Sequence, residues 1–216
     1  MFTGIVEEMG CVRSIRKTND AYQFQIACTK ILEDVHIGDS IAVNGVCLTV
    51  NTFTDESFTV DVMPETVKAT TIETLKIGSC VNLERAMAAN GRFGGHFVSG
   101  HIDGTGEIKR MYREGNALCM EIHLAEALRK YVIDKGSIAV DGTSLTIFHV
   151  TTEGFVLSLI PVTQQQSVIG MKRVGDMVNI ECDVLMKQID HLLHRKAATT
   201  TSTSMYDTLA KNGFLS

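Results

Sequence analysis

The sequence lacks most features that would announce a partner. No apolar run approaches the ~20 residues that a membrane span needs, so no membrane association is expected. The opening MFTGIVEEMG has no basic region followed by an apolar block and does not read as a signal peptide. The twenty basic residues are scattered, the net charge is −5, and no basic patch invites nucleic acid. Six cysteines are present (Cys11, Cys28, Cys47, Cys80, Cys119 and Cys182), but none forms a C-x-x-C pair. Without a secretion signal, their long, irregular spacings argue against a disulfide framework or a zinc site. Reduced thiols in a cytoplasmic protein are the expectation.

Proline is also scarce, and its placement is informative. The chain holds only Pro64 and Pro161, 97 residues apart. The same offset carries SIAVNGVCLTV (Ser40 to Val50) onto SIAVDGTSLTI (Ser137 to Ile147), with seven of eleven positions identical. It also carries the segment from Phe58 to Glu84 onto that from Phe155 to Glu181. An offset one residue shorter sets FTGIVEEMG from Phe2 against VSGHIDGTG from Val98, so Thr3 meets Ser99 and Gly4 meets Gly100. The chain is therefore a duplication. Its 216 residues, 44% hydrophobic, suffice for two small domains with buried cores. The expected boundaries are 1–89, 97–185 and a C-terminal helix and tail over 186–216.

Each half reads mostly as strand. YQFQIA and FTVDVM alternate apolar and polar residues, and Asn44-Gly45 and Asp141-Gly142 each mark a tight hairpin. Short strands with turns between them suggest a small barrel or sandwich. Short helices are expected after Pro64 and Pro161 and over LAEALRKYV. Leu185, Ile189 and Leu192 form one stripe on a helix of about three turns, suited to an oligomer contact or to its own barrel. Ala197 to Ser204 reads as disordered, and MYDTLAKNGFLS could form one last short helix.

Candidate chemistry gathers at the seam GGHFVSGHI. His96 and His101 are too few for a catalytic zinc, which takes three protein ligands. His36, His123, His149, His191 and His194 lie in unrelated contexts. The glycines match neither phosphate-loop pattern. His101 aligns with the apolar Ile5, and a ligand-contacting histidine and a surface histidine at a barrel rim both fit. His96 has no counterpart. Cys47 aligns with Ser144 and Thr49 with Thr146, small polar groups just after a tight turn. No Ser-His-Asp or Cys-His spacing supports hydrolase chemistry. Arg129, Lys130 and Lys135 make a short basic cluster that could serve an anion.

MFTGIV, NGVCLTV, GGHFVSGHI, DGTSLT and the LIP segment resemble, in order, the α-chain type of the riboflavin synthase family, over residues 1 to about 190. The resemblance implies an all-β fold: tandem six-stranded Greek-key barrels, short helices and a C-terminal α-helix. It implies a homotrimeric transferase acting last in riboflavin biosynthesis. Its site lies between the N-terminal barrel of one subunit and the C-terminal barrel of the next. Each barrel binds one 6,7-dimethyl-8-ribityllumazine, so the substrate is a small molecule, two per site. The pair dismutates, a four-carbon unit passing from donor to acceptor, to give riboflavin and 5-amino-6-(D-ribitylamino)uracil. No cofactor or metal is implied, and association with lumazine synthase is left open. The non-catalytic alternative is a related lumazine- or flavin-binding antenna protein.

Carried over by position, the first pocket comprises Gly4, Ile5 and Val6, then Cys47, Leu48 and Thr49, then Asp61, Val62, Met63, Pro64, Glu65 and Thr66. The second comprises Gly100, His101 and Ile102, Lys135, then Ser144, Leu145 and Thr146, then Ser158, Leu159, Ile160, Pro161, Val162 and Thr163. The resemblance implies that strand-edge backbone groups read the pteridine and that Thr, Ser and Glu side chains read the ribityl hydroxyls. His101 and Cys47 are the positions expected to carry the chemistry, with Ser144 and Thr146 beside them. Val46 replaces a second cysteine found in some members, and Val162 replaces a frequent glutamate.

Overall fold

A computed structural model describes residues 1–18 and 21–199, with side chains to residue 194. Strands β1 (Glu8–Lys17), β2 (Tyr22–Ala27), β3 (Ser40–Val43), β4 (Val46–Thr54), β5 (Ser57–Val62) and β6 (Cys80–Arg85) close into a barrel in the order β1-β2-β5-β4-β3-β6. Strands β7 (Gly104–Glu114), β8 (Ala117–Leu124), β9 (Ser137–Val140), β10 (Thr143–Val150), β11 (Gly154–Leu159) and β12 (Met177–Cys182) close a second barrel in the equivalent order, β7-β8-β11-β10-β9-β12. Every ladder of the two barrels is antiparallel, and among the described residues closure leaves no free edge strand. Both are Greek-key barrels, as the resemblance implied; the strand pattern alone had left barrel and sandwich open.

The period-2 pattern explains the inside and outside of each barrel. Val46, Leu48 and Val50 of β4 face inward with Phe58, Val60 and Val62 of β5, while Cys47 and Thr49 face out. Ile147, Phe155, Leu157 and Leu159 fill the second barrel in the same way. Irregularities in the ladders recur at equivalent places: Val12/Ser14 with Ile108/Arg110, and Val50/Thr52 with Ile147/His149. Such bulges bend a strand enough for the sheet to close.

Helices α1 (Pro64–Ala69) and α3 (Pro161–Gln166) each begin on a proline, whose missing N–H costs nothing at a helix start. LAEALRKYV yields less than expected: α2 spans only Glu126–Arg129 before the chain turns toward β9. The two barrels form one compact unit, Met1–Val184, and the chain from Leu185 on forms another. Helix α4 (Val184–Thr199) is longer than the three turns expected. It runs through Ala197, Ala198 and Thr199, the start of the stretch read as disordered. The rest of that stretch, and MYDTLAKNGFLS, lie outside the described residues. Among the described residues no helix is long and apolar enough to cross a membrane.

The barrels meet about a pseudo-twofold axis on which equivalent residues touch each other. Phe2 and Val98, matched by the repeat, pair directly: Phe2 N donates to Val98 O at 2.7 Å and Val98 N to Phe2 O at 3.2 Å. Both are buried in a small cluster with Ala42 and Ala139. The two hairpin turns also abut. Asn44-Gly45 and Asp141-Gly142 all have positive φ, and a Cβ on Gly45 would lie 2.7 Å from Gly142 N.

Beside them Asn82 and Asn179 exchange bonds across the axis. Asn82 Nδ2 donates to Asp141 O at 2.8 Å and Asn179 Nδ2 to Asn44 O at 2.9 Å. The symmetry fails at one charge. Where barrel one has Asn44 and Leu75, barrel two has the fully buried Asp141 and Lys172, whose Nζ lies 3.0 Å from Asp141 Oδ2. Burial pushes the Asp141 carboxyl up, and the lysine opposes that shift.

Candidate active site

The carried-over residues do gather on the outer faces of the barrels, but not in the grouping that the halves suggested. Gly4, Ile5 and Val6 leave barrel one and lie against barrel two. Ser144 N donates to Gly4 O at 2.7 Å, and a Cβ on Gly4 would sit 2.6 Å from Ser144 Cβ. Reciprocally, Cys47 N donates to Gly100 O at 2.8 Å, and a Cβ on Gly100 would sit 2.6 Å from Cys47 Cβ. Both glycines have positive φ, so a side chain there is excluded twice over. Each outer face therefore takes a segment from the other repeat. Gly4–Val6 join Ser144 and Thr163; Gly100–Ile102 join Cys47.

The pocket on barrel two is lined by Gly4, Ile5, Val6, Thr143, Ser144, Val162, Thr163, Gln166 and Ser167 and measures about 160 Å³. Enclosed small-molecule sites usually start near 300 Å³, so this one cradles a face of a ligand rather than swallowing it. On both outer faces the strand register puts two polar groups side by side. Val50 opposes Val60, which sets outward-facing Thr49 beside Asp61. Ile147 opposes Leu157, which does the same for Thr146 and Ser158. Leu48, Val62 and Leu159 are core residues of the barrel interiors, and Leu145 packs against one of them. From these positions only the main chain reaches the outer face. Met63, Glu65, Ile160 and Val162 are exposed beside the helix starts at Pro64 and Pro161.

The two histidines exchange the importance that the repeat gave them. The ring of His101 is exposed and makes no hydrogen bond among the described residues; its backbone N–H donates to Ser99 Oγ at 3.3 Å. His96 is buried, with Nδ1 2.7 Å from Ser144 Oγ. Its Nε2 is buried without a hydrogen-bond partner. Burial lowers its pKa below the ordinary histidine value, against the pull of Asp183 and Glu181 in the other direction. The imidazole is thus neutral at neutral pH and in hydrogen-bond contact with a hydroxyl, the geometry for proton exchange between them.

Sequence reasoning missed His96 because it lies ahead of the aligned segments, which start at Phe2 and Val98, so the repeat offered no comparison for it. A signal was present: Gly95 directly before it. A Cβ on Gly95 would lie 2.0 Å from Thr3 O and 2.8 Å from Ser144 Cβ, so only glycine lets the chain pass and place the imidazole.

Two buried carboxylates hold the crossing segments. Glu84 accepts from Thr3 N (2.7 Å), Thr3 Oγ1 (2.9 Å) and Gly4 N (3.0 Å). Glu181 accepts from Ser99 N and Ser99 Oγ (2.6 Å each) and Gly100 N (2.9 Å). Burial pushes the Glu84 carboxyl above its usual range, opposed by the Thr3 and Gly4 donors.

Lys135 falls where barrel one has Gly38, and keeps that glycine's positive φ, 64° against 94°. Its Nζ sits 5.0 Å from the Phe148 ring centroid. The basic cluster does not converge on an anion site. Arg129 is tied to Leu124 O, Thr152 O and Glu153, and Lys130 lies over Tyr131. Cys28 is equally unsuited to chemistry, since burial pushes its thiol up to about 12.

Two twinned barrels, each taking a crossing segment of the other repeat onto its outer face, define a duplicated tandem-barrel protein with a small-molecule-sized cradle beside Ser144. The lumazine binding domain family matches the chain twice, over residues 3–86 and 99–183. Riboflavin synthase of Bacillus subtilis (strain 168) is 54% identical over 215 residues, covering 99% of this chain and 100% of that protein. The riboflavin synthase of Actinobacillus pleuropneumoniae is 49% identical over the same shares. Among solved structures, LumP complexed with riboflavin superposes with a TM-score of 0.78 at 26% identity, covering 84% of this chain and 99% of that one. LumP complexed with 6,7-dimethyl-8-(1'-D-ribityl) lumazine gives 0.75, covering 84% and 98%. The chain belongs to the riboflavin synthase family.

Proposed function

We propose that this protein is a riboflavin synthase, a transferase that dismutates two molecules of 6,7-dimethyl-8-ribityllumazine. One molecule gives up a four-carbon unit and leaves as 5-amino-6-(D-ribitylamino)uracil; the other gains it and leaves as riboflavin. The atoms balance between two copies of one substrate, so no oxidant or cofactor is consumed. The observation that carries this reading is the pairing of two equivalent outer faces that differ in their reactive groups: Ser144 in hydrogen-bond contact with His96 on one, the Cys47 thiol beside the Gly100 segment on the other. Equivalent faces suit two identical molecules, and unlike groups suit a donor and an acceptor.

The open form of the cradle favours a site completed by a neighbouring subunit, in a homotrimer. Two ligands held face to face across such an interface would gain most from proximity and orientation. His96 can receive the Ser144 proton, leaving the oxygen able to add at C7 of a bound ring or to take a proton from the acidified C7 methyl. On the other face Cys47, Thr49 and His101 would serve the second ring. The six cysteines are all free, three of them buried, which suits a cytoplasmic protein.

Incubating the purified protein with 6,7-dimethyl-8-ribityllumazine tests the proposal directly. Riboflavin absorbance should grow with time, together with one equivalent of the pyrimidine product. Stoichiometric binding without turnover would favour the antenna protein instead. A monomeric mass at working concentration would remove the trimer.

A further inference from the structure

We propose that Glu84 and Glu181 are positioning residues that act across the barrel boundary, each setting the ligand pocket carried by the other barrel. The inference rests on the reading of the outer cradles as lumazine and flavin pockets. Glu84 belongs to β6 of barrel one, and its carboxylate gathers both oxygens around Thr3 and Gly4. Two contacts run from that held segment into barrel two. Gly4 O receives Ser144 N, and Thr3 O receives His96 N at 3.1 Å. Glu84 therefore fixes the wall of the Ser144 pocket and the backbone of the histidine that reaches Ser144.

Glu181 of β12 does the equivalent for barrel one through Ser99 and Gly100, whose carbonyl receives Cys47 N. Its reach is shorter. Among the described residues no histidine N–H donates to Ser99 O as that of His96 does to Thr3 O, so Glu181 sets a wall alone.

The chemistry requires a carboxylate. Three donors converge on each side chain, two on one oxygen and one on the other. A glutamine of the same shape has one accepting oxygen and an NH2 group. That NH2 would face an N–H or O–H donor, leaving buried donors unpaired. The crossing segment would then lose its register while the barrel around it kept its core.

The test is a riboflavin titration followed on two methyl groups by NMR. Val162 lines the barrel-two pocket, and Ala69 ends α1 where Gln166 ends α3 in that pocket. In the unaltered protein both methyls should shift. Glu84→Gln should weaken the affinity read at Val162 by about tenfold, leave that read at Ala69 within about twofold, and lower kcat as well as raising KM. Glu181→Gln should do the reverse at the methyls and act mainly on KM. Should Glu84→Gln fail to fold, Thr3→Val removes only one of the three bonds and should weaken the Val162 site about threefold.

A Glu84→Gln or Thr3→Val protein that loses affinity at Ala69, at both methyls equally, or at neither overturns the proposal. Absence of any shift in the unaltered protein would remove the pocket reading itself and this proposal with it. Shifts in the unaltered protein with the wrong pattern in the variants would remove the proposal alone.

Discussion

The two barrels share a backbone and differ in six places. Barrel one presents Cys47, receives His101 where barrel two receives Ile5, and rests on a neutral Asn44 beside Leu75. Barrel two presents Ser144 with Ile5, adds His96 from the linker, and rests on Asp141 beside Lys172. Barrel one turns on Gly38, barrel two on Lys135. The repeat thus acts as an internal control. Where the halves agree, the residue serves the fold or the shared contact; where they differ, one half has taken on something of its own. Barrel two has taken on more; its additions are polar, and two of them, His96 and Asp141, are buried, which makes them costly unless they are paired.

The largest effect should come from breaking the charge pair that barrel one lacks. Lys172→Leu leaves the buried Asp141 carboxylate without its cation and should cost about 3–5 kcal/mol of unfolding free energy. The double variant Asp141→Asn/Lys172→Leu copies barrel one and should recover most of that loss in a denaturant titration. If the double variant were as unstable as the single, the pair would not be an isolated compensation.

Next in size is the comparison of the two reactive groups. Ser144→Ala removes the hydroxyl that meets His96 and should lower kcat by about a hundredfold. Cys47→Ala, at a thiol with no imidazole partner, should lower it by about tenfold. Equal losses, measured as initial rates of riboflavin formation, would mean that the His96 contact adds nothing.

A smaller, pH-dependent difference should follow from His96. Its folded pKa lies below 6.5, so the folded protein refuses a proton that the unfolded chain accepts. Stability should therefore fall as pH drops below 6.5 and stop falling once pH passes the lowered folded value. His96→Gln, which keeps a polar group toward Ser144 but cannot titrate, should flatten that part of the stability profile. An unchanged profile would mean that another group carries the dependence.

Much of this architecture was legible in the sequence, because turns and strands are local. Asn44-Gly45 and Asp141-Gly142 form the tight hairpins their residue types demand, and Pro64 and Pro161 start helices. Alternation told which side of β4 and β5 faces the core. The crossing of Gly4–Val6 onto barrel two was not legible. An alignment of repeats states which residues are equivalent, and a segment that packs on its own barrel leaves the same pattern as one that packs on its sister. His96 escaped for a related reason. A residue without a twin has no comparison to mark it, and only the spatial closeness of Gly95 to Ser144 reveals why it stands where it does.

The smallest effect concerns Lys135, the one place where barrel two keeps a glycine's conformation without the glycine. An L-residue at φ 64° carries a strain of roughly 1 kcal/mol that Gly38 avoids. Lys135→Gly relieves the strain but gives the unfolded chain more freedom to lose and removes the lysine from the Phe148 ring. These terms nearly cancel, so stability should change by less than about 0.5 kcal/mol. Binding is the sharper reading. If Lys135 serves the barrel-two pocket, its removal should weaken the riboflavin affinity reported by the Val162 methyl by about threefold and leave the Ala69 methyl unmoved. Unaltered affinity at both methyls would return Lys135 to the role of a turn residue held over an aromatic ring.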